Sequence, residues 1–254
     1  MGGILTHLTT MRYLVISDIH ANLEALNAVL AAAPAHDHVL MLGDLVGYGA
    51  DPDAVIDCVQ GLKHVTWIRG NHDKVAAGLD TTDGFNHLAK QAIGWTADVM
   101  SPSHRAWLAA LPEGPVAVDE FVQICHGAPF DEDVYIFDDL DAVKAMRVAA
   151  RPLCLFGHTH VPAAYKLTQE LRHVGPPRGA EFTIRFEDGS RYLVNCGAVG
   201  QPRDGDPRAA YGMLDTDARA LTIYRVAYDV AAAQSKILAA GLPEMLANRL
   251  ALGR

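Results

Sequence analysis

Short apolar runs alternate with segments of helical character in the first part of the chain. The runs at 13–16, 39–42 and 65–68 are mostly apolar, which is typical of short buried strands. Between them, the segment 21–33 carries apolar residues at helical spacing, and the segment 52–62 opens with a proline in the favoured first turn of a helix. Strands that are buried on both faces and joined by helices predict parallel βαβ units.

The pattern changes in the rest of the chain, where apolar runs come in closely spaced pairs. Helical stretches at 85–100 and 101–111 precede this part, and two more, at 229–240 and 242–251, follow it. Such pairs are typical of β-hairpins, and the predicted ones are 115–119 with 121–125, 152–156 with 162–167, 181–186 with 190–195, and 210–215 with 219–226. We therefore expect an α/β fold in which two mixed β-sheets pack face to face and are flanked by helices, a four-layer αββα sandwich.

Length and composition fit one folded unit. The chain has 254 residues, of which 50% are hydrophobic and 20% are charged, and this composition excludes general disorder. Because Met11 directly precedes the first strand, we expect residues 1–10 to be a disordered extension and residues 11–254 to form a single domain. No apolar run reaches the roughly 18 residues of a membrane span, and no secretory signal is visible. We expect a cytoplasmic protein without membrane contact, whose four cysteines are reduced.

The formal net charge of −9 bears on the kind of partner. An acidic chain without a basic, aromatic-rich run is a poor candidate for gripping nucleic acid, so we expect no specific nucleic-acid partner. An anionic small molecule is compatible with this charge, because bound cations reverse the local field in a site rich in carboxylates and imidazoles. The sequence leaves the oligomeric state open.

Polar side chains stand where the predicted strands end, the position at which sites form in α/β sheets. The residues at these strand ends are Asp18, His20, Asp44, Asn71, His72, His126, His158 and His160. All except His72 are good ligands for borderline cations, and His72 needs a separate role. In extended backbone, residues two apart project to the same side, so each pair Asp-x-His and His-x-His is expected to reach one cavity. Gly43, Gly70 and Gly157 each precede such a residue, where the backbone must turn sharply or approach closely.

Five short motifs, taken together, carry a resemblance to a known family. In chain order they are Asp18-x-His20, Gly43-Asp44, Gly70-Asn71-His72-Asp73, His126 and Gly157-His158-Thr159-His160. This set resembles the calcineurin-like metallophosphoesterases. The segment 195–206 is similar to the small bacterial and archaeal branch of phosphodiesterase-like members, so the resemblance extends over nearly the whole chain.

The resemblance implies a site for two metal ions. One ion is expected at the positions matching Asp18, His20 and His160, and the other at those matching Asn71, His126 and His158. Asp44 is expected to bridge the two ions. The histidine that matches His72 binds no metal in the family and instead contacts the phosphate or protonates the leaving group.

The chemistry expected at this site is hydrolysis by a hydroxide between two cations. His72 is then a candidate general acid, and Asp73 is a candidate to orient its ring. Arg203 and Arg208 are candidates to bind a second phosphate or a nucleotide, because arginine suits bidentate phosphate contacts. Since the site is rich in oxygen and lacks thiolates, Mn or Fe is expected, with Zn, Co and Ni as alternatives.

The expected function is a two-metal phosphoesterase acting on phosphodiesters or on a small phosphorylated substrate such as a nucleotide. A phosphomonoesterase or a protein phosphatase is the alternative within enzymes. A protein-binding scaffold with the same fold is the alternative from another class, although a scaffold has no reason to keep His72 and all seven metal-binding groups. The Asp-rich segment between His126 and Ala150 is expected to cover the pocket.

Overall fold

The computed structural model describes residues 10–175 and 179–254, so nearly all of the predicted extension at 1–10 lies outside the described residues. The strands are β1 (Arg12–Ile16), β2 (His38–Met41), β3 (Val65–Trp67), β4 (Val116–Ala117), β5 (Val122–Ile124), β6 (Leu153–Phe156), β7 (Ala163–Leu167), β8 (Leu171–His173), β9 (Glu181–Arg185), β10 (Arg191–Asn195), β11 (Ala209–Asp215) and β12 (Ala220–Val226). The helices are α1 (Leu23–Ala32), α2 (Pro52–Gln60), α3 (Asn71–Ala76), α4 (His87–Val99), α5 (Pro102–Ala109), α6 (Asp139–Val148), α7 (Val230–Ala239) and α8 (Glu244–Leu250).

The strands form two mixed sheets, as the sequence predicts. The first has the order β3-β2-β1-β11-β12-β9, and the second has the order β4-β5-β6-β10-β7-β8. Strands β1, β2 and β3 are parallel, which confirms the βαβ units, and β11 joins β1 in the antiparallel sense. In the second sheet, β5, β6 and β10 are parallel to one another.

The two sheets bury one apolar layer between them, and helices cover their outer faces. Val15 and Leu40 of the first sheet share a core cluster with Leu155 and Val194 of the second. Helices α1 and α2 contribute to a separate cluster with the other face of β1 and β2, while α6 packs on β10 and β7. The predicted four-layer αββα sandwich is therefore confirmed. Among the described residues, no helix combines the length and apolar character needed to cross a membrane.

Two of the four predicted hairpins are confirmed and two are wrong. β4 pairs with β5 and β11 pairs with β12, but β10 lies between β6 and β7. The segment 181–186 and the segment 190–195 belong to different sheets. Burial explains the separation, since β10 is buried over four successive residues and takes a central position, whereas β9 is mostly exposed and takes an edge.

The structure adds elements that the apolar pattern did not predict. Helix α6 lies in the Asp-rich segment and buries Ala142, Ala145 and Met146, with Asp138 as its N-cap. Strand β8 extends the second sheet, and three residues separate the end of β3 from the start of the short helix α3. Because α3 begins at Asn71, its first residues are helical rather than the end of a strand. This placement decides how those side chains reach the site.

Candidate metal centre

The site lies where the loops after β1, β2, β5 and β6 meet across the two sheets. The Nδ1 atom of His126, after β5, donates a hydrogen bond to the carbonyl oxygen of Leu42, after β2, at 2.7 Å. The backbone N–H of His158, after β6, donates to the two carboxylate oxygens of Asp18, after β1, at 3.1 and 3.2 Å. These contacts join the carboxyl ends of parallel strands from both sheets, the place predicted for the site.

Left-handed backbone, rather than extended backbone, aims the side chains. The φ angles are +55° at Asp18, +49° at His20, +55° at Asp44, +66° at His158 and +59° at His160. The expectation that the paired residues project from extended chain is therefore wrong. Each such residue costs about 1–3 kcal/mol, and strain of this kind gathers at functional sites. The fold holds five of these side chains in strained positions around one point.

Two glycines allow the loops that carry the donor residues to pack closely against one another. A Cβ atom on Gly70 would lie 2.2 Å from Oδ1 of Asp44, and one on Gly157 would lie 2.0 Å from the hydroxyl of Ser17. No side chain fits at either distance, so the expectation of close backbone approach at these two positions is confirmed.

Asp44 occupies the centre of the site. Its Oδ2 atom lies 3.4 Å from Nε2 of His20 and 3.3 Å from Nε2 of His126. Two groups of donor atoms, each within 4.8 Å of one another, share this carboxylate: Asp18, His20, Asp44 and His160 form one, and Asp44, His126 and His158 form the other. The two groups correspond to the two sets of residues expected from the sequence.

Backbone carbonyls determine which nitrogen of each ring faces the centre. Nδ1 of His20 lies 3.0 Å from the carbonyl oxygen of Val46, and Nδ1 of His160 lies 2.6 Å from that of Gln201. Because a carbonyl only accepts, each Nδ1 carries a proton, and each Nε2 of the neutral ring presents a lone pair. Burial lowers the pKa of both rings well below the ordinary value, so both are neutral. This orientation is the one that metal-binding histidines use.

The lone pairs on the Nε2 atoms of His20 and His160 face each other, and this arrangement shows whether the first group of donors fits a cation. The Nε2 atoms of His20 and His160 lie 3.0 Å apart, although both are acceptors. Two lone pairs at this distance repel each other, and a cation bound by both removes the repulsion. Nε2 of His160 also lies 3.4 Å from Oδ1 of Asp18, which adds a carboxylate to the same donor set. The first group of donors therefore fits a divalent cation.

The second group of donors passes the same test. Nε2 of His126 lies 3.2 Å from Oδ1 of Asn71, in addition to its contact with Asp44. Burial opposes a charge on His126, but Asp44 raises its pKa to about 10, so the ring holds a proton where a cation would bind. His158 uses its two ring nitrogens the other way round. Its Nε2 donates to the carbonyl oxygen of Asp133 at 3.2 Å, so its Nδ1 carries the lone pair. A cation in this position satisfies the oxygen and nitrogen donors together.

The carboxylates need positive charge. Burial raises the pKa of Asp18 to about 7. For Asp44, burial acts in the same direction, but His126 and His72 hold its pKa well below the ordinary value. Both side chains are almost wholly inaccessible to water. Two buried carboxylates that face a single protonated ring, His126, among otherwise neutral imidazoles are a site that a dication stabilises.

His72 lies beside the donor groups and not among them. Its backbone N–H donates to Oδ1 of Asp44 at 2.9 Å, while its ring packs against the rings of Tyr48 and Phe85 at centroid distances of 4.5 and 4.6 Å. Nδ1 of this ring is buried and has no hydrogen-bond partner. Burial lowers its pKa to about 4. The separate role expected for His72 agrees with this position, although helical backbone, and not extended backbone, turns it away from Asn71.

Asp73 does not orient the ring of His72, so that expectation is wrong. Its Oδ1 accepts hydrogen bonds from the N–H groups of Leu45 and Val46, and its Oδ2 accepts one from the N–H of Gly70. Both carboxylate oxygens therefore bind main chain at the start of α3. Asp73 holds together the two loops that carry Asp44 and Asn71.

The two candidate arginines have different surroundings. The guanidinium of Arg208 forms a bidentate pair with Asp206, with a shortest distance of 2.6 Å, and also donates to the carbonyl oxygen of Gly179. Arg208 is thus committed to its own loop in this structure, a position that does not support the phosphate contact predicted for it. Arg203 is close to the donor groups, because its backbone N–H donates to the carbonyl oxygen of His160 at 3.2 Å.

A cavity of about 280 Å³ opens beside the second group of donors. Tyr135 lines it and stacks on His158 with ring centroids 3.7 Å apart. Asp133 and Tyr135 come from the Asp-rich segment, so part of that segment covers the pocket as expected. Several other side chains that line the cavity were not predicted, because nothing in their local pattern marks them: Tyr48, Lys74, Asp80, Asp83 and Phe85.

Comparisons with known proteins agree with this architecture. The family model of the calcineurin-like phosphoesterase superfamily domain matches residues 11–219. The uncharacterized protein MJ0912 of Methanocaldococcus jannaschii is 36% identical over 253 residues, which cover 94% of this chain and 97% of that protein. The crystal structure of a metallophosphoesterase from Sphaerobacter thermophilus is 38% identical, with a TM-score of 0.82 over 96% of this chain and 100% of that one. The hypothetical protein PH1004 of Pyrococcus horikoshii OT3 shares the fold, with a TM-score of 0.76 and 20% identity over 96% of this chain and 98% of that one.

Proposed function

Since the chain belongs to the calcineurin-like phosphoesterase superfamily, we propose that it uses two divalent cations to hydrolyse a small phosphodiester. The observation that carries the proposal is the position of Asp44. A single oxygen of this carboxylate lies 3.4 and 3.3 Å from the Nε2 atoms of His20 and His126, which belong to different donor groups. A carboxylate shared in this way could serve both members of a pair of cations, which supports the proposal.

The residues that would hold the cations follow from the two donor groups. Asp18, His20 and His160 face one position, Asn71, His126 and His158 face the other, and Asp44 faces both. The chemistry that a bound pair supplies is activation of water near neutral pH and neutralisation of charge on the phosphate. The mixed oxygen and nitrogen donors suit Mn or Fe, and they also accept Zn, Co or Ni.

His72 is the residue we assign to the leaving group. Its ring lines the cavity, outside the donor groups, and its partner-free Nδ1 is buried. The pKa of about 4 is set mainly by burial, and a bound anionic phosphate favours the protonated ring. His72 then donates its proton to the ester oxygen as the bond to phosphorus breaks.

The charge of the cavity wall supports a diester over a monoester. The lining carries three carboxylates, from Asp80, Asp83 and Asp133, and one ammonium group, from Lys74. Lys74 is itself paired with Asp133 at 2.6 Å and with Asp80 at 2.9 Å. A wall with this acidic balance repels the dianion of a monoester more strongly than the monoanion of a diester.

The test is a substrate pair assayed after chelation and reloading with metal. We expect no hydrolysis in excess EDTA, recovery on addition of Mn²⁺, and faster hydrolysis of bis(4-nitrophenyl) phosphate than of 4-nitrophenyl phosphate. Faster hydrolysis of the monoester would favour the phosphomonoesterase alternative. A protein that binds Mn²⁺ but hydrolyses neither compound would contradict the enzymatic proposal and leave the scaffold alternative.

A further inference from the structure

Two arginine side chains approach the ring of Tyr48, which also packs against His20. The guanidinium carbons of Arg203 and Arg249 lie 5.7 and 5.6 Å from the centroid of the Tyr48 ring. The ring centroids of Tyr48 and His20 are 4.8 Å apart. The two cations are thus adjacent to the first group of metal donors, and neither lines the cavity beside the second group.

Neither cation is neutralised by a side-chain carboxylate. In the described part of the chain, no aspartate or glutamate forms an ion pair with Arg203 or Arg249. The nearest acidic residues of the same loop, Asp204 and Asp206, are paired with Arg225 and Arg208 instead. The acidic residues of this loop are therefore paired with other arginines, and Arg203 has no ion pair with them. Arg249, on α8, contacts the terminal residue of the sequence instead.

The hydrogen bonds of the two side chains leave donors free. Arg203 donates from Nη2 to the side-chain oxygen of Gln201 at 3.0 Å, and its Nε is buried without a partner. Arg249 donates from Nε to the main-chain oxygen of Arg254, the last residue of the sequence, at 2.6 Å, and its two Nη groups remain as donors. Burial lowers the pKa of Arg249, and the neighbouring charge of Arg203 lowers it further. A buried donor without an acceptor, next to a second cation, marks a place for an anion.

We propose that Arg203 and Arg249 form an anion subsite that binds a second phosphate group of the substrate. This inference deepens the proposed function, on which it rests for the position of the first phosphate at the metal donors. Arg203 is held next to the metal donors, because its backbone N–H donates to the carbonyl oxygen of His160. Arg249 approaches the Tyr48 ring from α8. The substrate class is then a phosphodiester with a second phosphate on the ester group that lies on the Tyr48 side.

The experiment measures binding and needs no turnover. The Mn²⁺-loaded protein, freed of excess metal, is titrated calorimetrically with propyl phosphate and with propane-1,3-diol bisphosphate, which differ only in the second phosphate. We expect the bisphosphate to bind about tenfold more tightly or better, as for a charge-assisted contact to two guanidinium groups. In Arg249→Met the preference is expected to fall to nearly one, and in Arg249→Lys to an intermediate value.

Arg208→Met is the matched control, because it removes an arginine that is already paired with Asp206. We expect this variant to keep the preference for the bisphosphate. The subsite is wrong if the wild-type protein binds both ligands equally, or if Arg249→Met keeps the wild-type preference while its Mn²⁺ content is unchanged. A wild-type protein that prefers the bisphosphate but hydrolyses no ester would support the subsite while contradicting the proposed function.

Discussion

Replacement of Asp44 by asparagine is the change that most directly tests the metal centre. The substitution keeps the shape of the side chain but removes the charge that faces both donor groups through one oxygen, at 3.4 Å from His20 and 3.3 Å from His126. If that carboxylate bridges two cations, both sites are weakened at once. We therefore expect the variant to lose most of the stabilisation that Mn²⁺ gives the wild-type protein.

The size of that stabilisation follows from binding to the folded state. At a free concentration 100 times Kd, each ion adds about 2.7 kcal/mol to the free energy of unfolding. For a chain of this length, 1 kcal/mol shifts Tm by roughly 2–4 °C. Two ions are expected to raise Tm of the wild-type protein by about 10–20 °C, and Asp44→Asn is expected to reduce this shift to a few degrees.

The assay is thermal unfolding with and without Mn²⁺, with Asp73→Asn as the matched control. Asp73 is an equally buried carboxylate in the first turn of α3, but its oxygens accept hydrogen bonds from three backbone N–H groups and belong to neither donor group. Its replacement is expected to lower Tm in the absence of metal and to leave the Mn²⁺-dependent shift nearly intact. A wild-type shift in Asp44→Asn, or an equal loss of the shift in both variants, would refute the bridging role.

Three further predictions follow from other parts of the structure. His72→Ala is expected to keep its metal and to lower kcat by roughly 10²–10⁴, less for a 4-nitrophenyl ester than for an alkyl ester; equal losses on both, or loss of metal, would contradict the role as an acid. Gly70→Ala is expected to lose the Mn²⁺-dependent rise in Tm because its Cβ would lie 2.2 Å from Oδ1 of Asp44, whereas Gly84→Ala, with no atom within 4 Å, serves as the control that should keep it. Burial raises the pKa of Tyr13 to about 12, so its contribution to stability is complete below pH 10 and is lost as the pH rises towards 12; the difference in unfolding free energy between the wild-type protein and Tyr13→Phe should shrink over this interval, and a constant difference would contradict the shift.

The local pattern was sufficient for the parallel strands of the first sheet and for most of the polar residues that follow the strands. The segments β1, β2 and β3 are buried runs joined by helices, and a right-handed crossover is the ordinary way to connect such strands. Parallel strands end at the same edge of a sheet, so the residues that follow them meet there. The proximity of Asp18 and Asp44 is thus a consequence of topology that the sequence already implies, while their role as ligands remains a prediction. His126 follows β5 of the second sheet and joins them only because the two sheets pack face to face.

The backbone conformation at the strand-end residues could not be predicted from the pattern of apolar and polar residues. Aspartate and histidine adopt a positive φ more often than most residues other than glycine, but the residue type does not say at which position they do so. The extended geometry expected for Asp18 and His20 was wrong. The close approach of Gly70 to Asp44 and of Gly157 to Ser17 makes the strained turns necessary, and both contacts join loops distant in the chain. The energetic cost of this strain is offset by packing between segments that are distant in the sequence, which a local pattern does not show.

Tertiary structure alone decided how the strands after β5 pair and which partners the candidate arginine side chains contact. Close spacing predicted hairpins at 152–167 and 181–195. A strand that is buried on both faces is more stable in the middle of a sheet than at an edge beside its neighbour in sequence. β10 is such a strand, and it lies between β6 and β7. Arg203 and Arg208 are equivalent in the sequence, yet Asp206 lies within reach of only one of them. Residue type determines what a side chain can bind, whereas its partners are determined by which distant segments the buried core brings together.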